Sequence, residues 1–238
     1  MTISRKIINH EGPGGSFESM WVGDAGGGVK PGLLFFPNIL GTKEEDFLKA
    51  EELAALGYTV LVTDLYGKGK RGKSMDEGMA LMKEIATDRT VLRTRLLNAL
   101  ATLKGLTAVD TSRLGAVGFC FGGQCVLDLA RAGADINGIV SFHGVYDAPP
   151  FPNAPMTGKV LICHGWNDPL SPPDALVRLS KELTEANVDW QLHAYGNTGH
   201  AFTAKYVPLD ATKTFGFQPD SSRRSWKAME DFLVEAFR

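Results

Sequence analysis

Leu114-Gly-Ala-Val-Gly-Phe-Cys120-Phe-Gly-Gly123 is the stretch on which the reading of this chain turns. The apolar run from Leu114 to Val117 suits a buried strand, and the residues from Phe121 to Ala130 suit a helix. Between them, Gly118, Gly122 and Gly123 keep steric bulk away from a sharp strand-to-helix turn. Cys120 at such a turn stands exposed at the sheet edge, and the N-terminus of the following helix points N–H groups and a positive dipole end at its sulfur. That setting favours thiolate and reads as a nucleophile; a structural thiol has no need of it.

Outward from this turn, strands alternate with helices. Gly32 to Phe36, Tyr58 to Thr63, Gly138 to Phe142, Lys159 to Cys163 and Asp189 to Ala194 read as strands. Glu44 to Leu56, a long stretch from Asp76 to Leu103 with room for one break, Pro173 to Ala186 and Ser221 to Phe237 read as helices. This rhythm predicts a mainly parallel sheet flanked by helices on both faces, an α/β architecture. Residues 1 to 30 differ: candidate strands at Ser4 to Asn9 and Phe17 to Val22, then a turn-rich stretch, read as antiparallel edge structure attached to the main sheet. A length of 238 residues without a disordered interior linker is expected to form one domain.

Composition excludes more than it selects. The formal net charge is -2, which offers no broad electrostatic case for nucleic acid or an anionic membrane. The apolar runs are too short to span a bilayer, and the polar N-terminus does not resemble a secretory signal. Three cysteines, none in a Cys-x-x-Cys pair, suggest neither a disulfide framework nor a thiolate zinc site. The five scattered histidines form no zinc site either. The expectation is a cytoplasmic protein, monomeric or a small homo-oligomer, without metal or cofactor, whose partner is a small molecule.

Functional residues of a parallel sheet gather beyond the C-terminal ends of its strands, which puts Asn38, Asp64, Cys120, His143, His164, Asp168 and His200 on one rim. His200, in the glycine-containing loop Tyr195-Gly-Asn-Thr-Gly-His-Ala-Phe202, suits a general base for Cys120. Asp168, in His164-Gly-Trp-Asn-Asp-Pro169, can fix the tautomer of that base, although Asp-Pro is also a turn signal. Nucleophile, acid, histidine is the chain order of the α/β-hydrolase triad. The backbone N–H groups of Phe121 and of Ile39, in the loop after the strand Gly32 to Phe36, are the expected oxyanion donors. His143 borders a glycine at a strand end, a place for a pocket wall or a turn hydrogen bond, and His164 suits bracing of the Asp168 loop. Cys125 and Cys163 read as buried small hydrophobes.

A competing motif lies upstream. Gly67-Lys-Gly-Lys-Arg-Gly-Lys-Ser74 matches the phosphate-loop pattern G-x-x-x-x-G-K-[ST] and falls between a strand and a helix. Its crowd of cations argues against a phosphate cradle, where one lysine normally stands among small residues, and no spare strand ends in a magnesium-binding aspartate. A solvated basic loop or a contact to a substrate carboxylate is the better account.

The ordered set Asp64-Leu-Tyr-Gly67, Gly118-Phe-Cys-Phe-Gly-Gly123, Gly165-Trp-Asn-Asp168 and Gly199-His-Ala-Phe202 resembles the dienelactone hydrolase family. The resemblance implies an α/β-hydrolase fold, a triad of Cys120, Asp168 and His200, and hydrolysis of an ester or lactone through an acyl-enzyme. It also exposes departures. Asn38 stands where members that open dienelactones carry a glutamate, and an amide cannot take a thiol proton. Ala204, with Lys205 beside it, replaces one carboxylate-binding arginine, and Arg71 is a candidate for the other. Small esters and lactones are therefore the expected substrates, with a non-catalytic ligand binder and a nucleotide hydrolase as the rival readings.

Overall fold

The computed structural model describes residues 2–238. Among them are eight strands in the sheet order β1-β2-β4-β3-β5-β6-β7-β8 and six helices. The strands are β1 (Ile3–Gly12), β2 (Gly15–Asp24), β3 (Lys30–Phe36), β4 (Thr59–Val62), β5 (Val109–Phe119), β6 (Gly138–Phe142), β7 (Lys159–Gly165) and β8 (Trp190–Tyr195). The helices are α1 (Glu44–Ala55), α2 (Met75–Ala86), α3 (Arg89–Lys104), α4 (Phe121–Arg131), α5 (Pro173–Glu185) and α6 (Pro219–Ala236). None of these helices is long and apolar enough to cross a membrane. The chain divides into two compact units, Met1–Ala116 and Val117–Arg238, with the boundary inside β5.

In the first unit, β1 and β2 form an antiparallel hairpin in register Ile3↔Asp24, and β2 continues antiparallel onto β4. The pairing of β3 with β4 is parallel. Apart from the buried Thr59 at the start of β4, both strands are apolar where they are buried, as expected for strands covered on two faces. The long helical stretch of the sequence is two helices. Thr87 ends α2, and the Asp88 carboxylate accepts from Thr90 N at 2.8 Å, satisfying one of the N–H groups that open α3.

In the second unit, β6, β7 and β8 pair in parallel. Every residue of α4 is buried, including Arg131 at its last position. A buried guanidinium is tolerated only when fully engaged. Here Glu182 accepts from Nε and Nη2 at 2.8 Å each, Asp128 from Nη1 at 3.1 Å, and the carbonyls of Tyr146 and Asp147 at 3.0 and 3.3 Å. One side chain thus fastens the irregular segment after β6 to α4 and α5. Phe119, at the end of β5, stacks on Phe142 with ring centroids 4.7 Å apart, which supports the strand end that carries the elbow.

Candidate active site

Cys120 is the N-cap residue of α4, with φ 56° and ψ −115°. A non-glycine residue in that region costs about 1–3 kcal/mol and persists only where its surroundings impose it. The main chain imposes it here. Cys120 N–H donates to the Phe142 carbonyl at 3.0 Å, and its carbonyl accepts from Gly123 and Gln124 at 2.9 and 3.3 Å. A side chain at Gly118 would collide with the carbonyl oxygen of Gly122, and one at Gly123 would come within 2.7 Å of Gly144 Cα. The thiol itself is half-buried and makes no capping bond. Phe121 supplies the first N–H of the helix, next to the sulfur-bearing residue.

The Asp168 loop and the His200 loop are built against each other. Trp166 N–H donates to the Tyr195 carbonyl at 3.0 Å and Asn167 N–H to that of Thr198 at 2.8 Å. The Asp168 carboxylate accepts from Leu170 N–H at 2.9 Å through one oxygen and meets His200 Nδ1 at 2.7 Å through the other. His200 is bracketed by its own backbone: its N–H donates to Thr214 at 2.8 Å, and its carbonyl accepts from Gly216 at 2.9 Å. Both carboxylate and imidazole are buried.

The far nitrogen of His200, Nε2, is buried and meets no hydrogen-bond partner among the described residues. Burial pushes the imidazolium down, but the electrostatic and hydrogen-bonding interactions with Cys120 and with Asp168 outweigh it and lift the pKa to about 10. Phe215 stacks on the ring at 5.4 Å, and His143 approaches it edge-on at 5.1 Å. A nucleophile candidate, an oriented imidazole and a fixed carboxylate are the parts that acyl transfer requires.

The remaining candidates lie in varied settings. His143 is buried, with φ 37° and Nε2 at 2.8 Å from Thr203 Oγ1. His164 is buried beside the Asp168 loop, with Nδ1 3.0 Å from the Tyr146 hydroxyl; burial lowers its pKa, which suits a neutral brace. Cys125 and Cys163 are both buried, and burial pushes the Cys163 thiol up to about 12, so neither is a reactive thiol. Lys205 is exposed.

In the first unit, Asn38 Oδ1 accepts from Leu40 N–H at 3.0 Å and from Lys43 Nζ at 3.3 Å, so the amide shapes its own loop. Ile39 is buried, and its carbonyl accepts from the Tyr66 hydroxyl at 2.9 Å. Arg71 faces protein acceptors: Nη1 meets Asp64 Oδ1 at 3.2 Å and the Lys70 carbonyl at 2.6 Å, and Nη2 meets the Glu18 carbonyl at 3.2 Å. The rest of the basic loop is similarly engaged. Lys70 pairs with Glu84 at 2.9 Å, Lys68 with Glu18 at 3.8 Å, and Lys73 N–H donates to the Glu77 carboxylate at 2.8 Å. Glu77 thus puts negative charge where a phosphate would have to bind.

Sequence reasoning had no signal for Phe215 or Thr203. Both reach the site through loop closure, with no periodicity or motif to announce them.

The dienelactone hydrolase family model matches residues 19–237. A Methylorubrum extorquens protein provisionally named carboxymethylenebutenolidase is 27% identical over 221 residues, covering 88% of this chain and 73% of that protein. A Bradyrhizobium protein provisionally named 2-oxo-3-(5-oxofuran-2-ylidene)propanoate lactonase is 28% identical over 210 residues, 84% of this chain and 81% of its own. A crystal structure titled as a dienelactone hydrolase-like promiscuous phosphotriesterase from metagenomic libraries superposes with a TM-score of 0.92 at 29% identity, covering 99% of both chains.

Proposed function

Because this chain belongs to the dienelactone hydrolase family, we propose that it hydrolyses small carboxylic esters or lactones through an acyl-enzyme on Cys120. The observation that carries the reading is His200: Nδ1 is held by Asp168 at 2.7 Å, Nε2 is not tied up by another protein nitrogen or oxygen, and the ring interacts with Cys120. That is the state in which an imidazole can give and take a proton.

As substrate enters, His200 Nε2 takes the Cys120 thiol proton, leaving an imidazolium beside the attacking sulfur. The sulfur attacks the acyl carbon, a C–S bond forms, and the carbonyl electron pair moves to oxygen. The N–H of Phe121 at the start of α4 stabilises that oxyanion. Collapse breaks the C–O bond, and His200 Nε2 delivers its proton to the departing alkoxide, leaving a thioester and neutral imidazole. His200 then takes a proton from water, the hydroxide adds to the thioester, and the thiolate leaves as the acid is released. For a lactone, the alcohol and acid ends remain on one product molecule. Asp168 holds the Nδ1 side throughout, so that each transfer uses Nε2.

The test is a panel of small esters and lactones, with a phosphotriester included because a structural relative is so titled. Intact-protein mass would be followed during turnover. Wild type should show transient acyl mass on Cys120, and Cys120→Ala should lose turnover by about ten-thousand-fold or more. Undiminished turnover in Cys120→Ala overturns the assignment.

A further inference from the structure

His143 combines a left-handed backbone with a fully buried ring. Its φ of 37° lies in the left-handed region, uncommon for any residue but glycine, although asparagine, aspartate and histidine enter it more readily than the rest. An imposed conformation at a buried histidine asks what its side chain does. The ring has four neighbours that bear on the site. Phe119, the residue before Cys120, lies at 6.2 Å; His200 lies at 5.1 Å with an interplanar angle of 65°; Phe202 lies at 5.1 Å; and Thr203 Oγ1 bonds Nε2 at 2.8 Å.

The backbone around it is tied down as well. His143 N–H donates to the Cys163 carbonyl at 2.9 Å, while the preceding carbonyl, that of Phe142, receives Cys120 N–H at 3.0 Å. One short segment therefore supports both the elbow that carries the nucleophile and the ring that serves it. His200 needs such support. Asp168 fixes one nitrogen and Phe215 covers one face, but a ring held at those two places can still tilt about the Nδ1 contact. His143 closes a second direction. With Nε2 occupied by Thr203 and its ring edge-on to His200, His143 acts by contact and stands outside the path of the proton.

We propose that His143, locked by Thr203, is a positioning residue that keeps His200 Nε2 directed at Cys120. This rests on the hydrolase reading given above.

The test compares His143→Asn, Thr203→Val and their combination in the full chain. Asparagine tolerates the left-handed backbone, so His143→Asn should still fold, with a thermal midpoint lowered by the lost ring packing and Thr203 bond. Each single variant should lower kcat about 10- to 100-fold with KM little changed, as expected when a reacting group is misdirected. The combination should fall no further than the worse single, because the two residues act as one unit. Thr203→Ser should recover most of what Thr203→Val loses. The titratable groups around His200 are Asp168, Cys120, His143 and, more distantly, His164; the pH at which the rate falls on the alkaline side should also move, since a tilted His200 loses part of the Asp168 and Cys120 interactions that raise its pKa.

Alkylation of Cys120 by iodoacetamide across the same pH range gives a readout independent of turnover, and its profile should shift with the variants. Single variants within twofold of wild type, or losses that multiply in the combination, overturn the proposal. Should His143→Asn fail to fold, Thr203→Val leaves the strained position intact and decides alone. Turnover surviving in Cys120→Ala would overturn the positioning role together with the hydrolase reading. Loss in Cys120→Ala beside unaffected His143→Asn and Thr203→Val would remove the positioning role alone.

Discussion

Two buried aspartates, each just beyond the C-terminal end of a parallel strand, hold a basic side chain in this protein. Asp64, after β4, meets Arg71 at 3.2 Å; Asp168, after β7, meets His200 at 2.7 Å. The first network is saturated. Asp64 also accepts the N–H groups of Glu18, Tyr66 and Gly67 at 3.0 Å each, and Arg71 Nη1 and Nη2 reach carbonyl oxygens beyond it. The second stops short by one atom, because His200 Nε2 has no hydrogen-bond partner among the described residues. A closed network holds a loop in shape; one with a nitrogen left over has somewhere for a proton to go.

The sharpest way to break this comparison is to change each aspartate and read both rate and stability. Asp168→Asn should cost up to roughly ten-thousand-fold in kcat, because the amide no longer selects the His200 tautomer that the chemistry needs. The pH behaviour has a definite sign. With its pKa lifted from the usual 6.5 to about 10, His200 stabilises the fold fully below pH 6.5 and loses that contribution as pH rises through about 10. Asp168 is one of the groups that lift it, so Asp168→Asn should bring the loss of stability, and the alkaline fall in rate, to lower pH. Urea midpoints and rate profiles from pH 6 to about 10.5 would check both; an unmoved alkaline limb would count against the pairing.

How much of this could be read beforehand depended on whether the signal was local. The elbow was legible because its glycines are required by contacts only a few residues away: Gly118 against Gly122, with the apolar strand directly upstream. Cys120, Asp168 and His200 stood out because each follows a strand in a glycine- or proline-marked loop. Phe215 and Thr203 were not legible, since their value comes from loop closure that no local pattern encodes. Arg131 is the clearest case in the fold itself. A charged residue ending a helix reads as solvent-facing, yet it is buried because Glu182, 51 positions away, arrives to pair with it.

The Asp64 side of the comparison should show the reverse balance. Asp64→Ala leaves Arg71 without its carboxylate and three backbone N–H groups, one buried and two partly so, without their acceptor, an expected loss of about 3 kcal/mol in urea unfolding. Asp168→Asn keeps a hydrogen-bonding side chain and should lose less stability than that. If Asp64→Ala unfolds no more easily than Asp168→Asn, the distinction between a closed and an open network fails. The smallest effect belongs to Lys73, exposed in the phosphate-loop-like segment. Lys73→Ala should change stability by no more than about 0.5 kcal/mol. Neither form should bind ATP with or without magnesium in a calorimetric titration; tight binding lost in the variant would reinstate a nucleotide site.

The elbow also bears on how such a protein can change over generations. Since the main chain and the glycines hold the turn while the Cys120 side chain caps nothing, the proposed nucleophilic atom is separable from the scaffold that displays it. A mutation from thiol to hydroxyl would alter reactivity without asking the backbone to be rebuilt, whereas a methyl group at Gly118 would end the lineage's fold before selection could judge its chemistry. In this corner of the molecule the silent residues are the ones under constraint, and the candidate nucleophile is free to be tried.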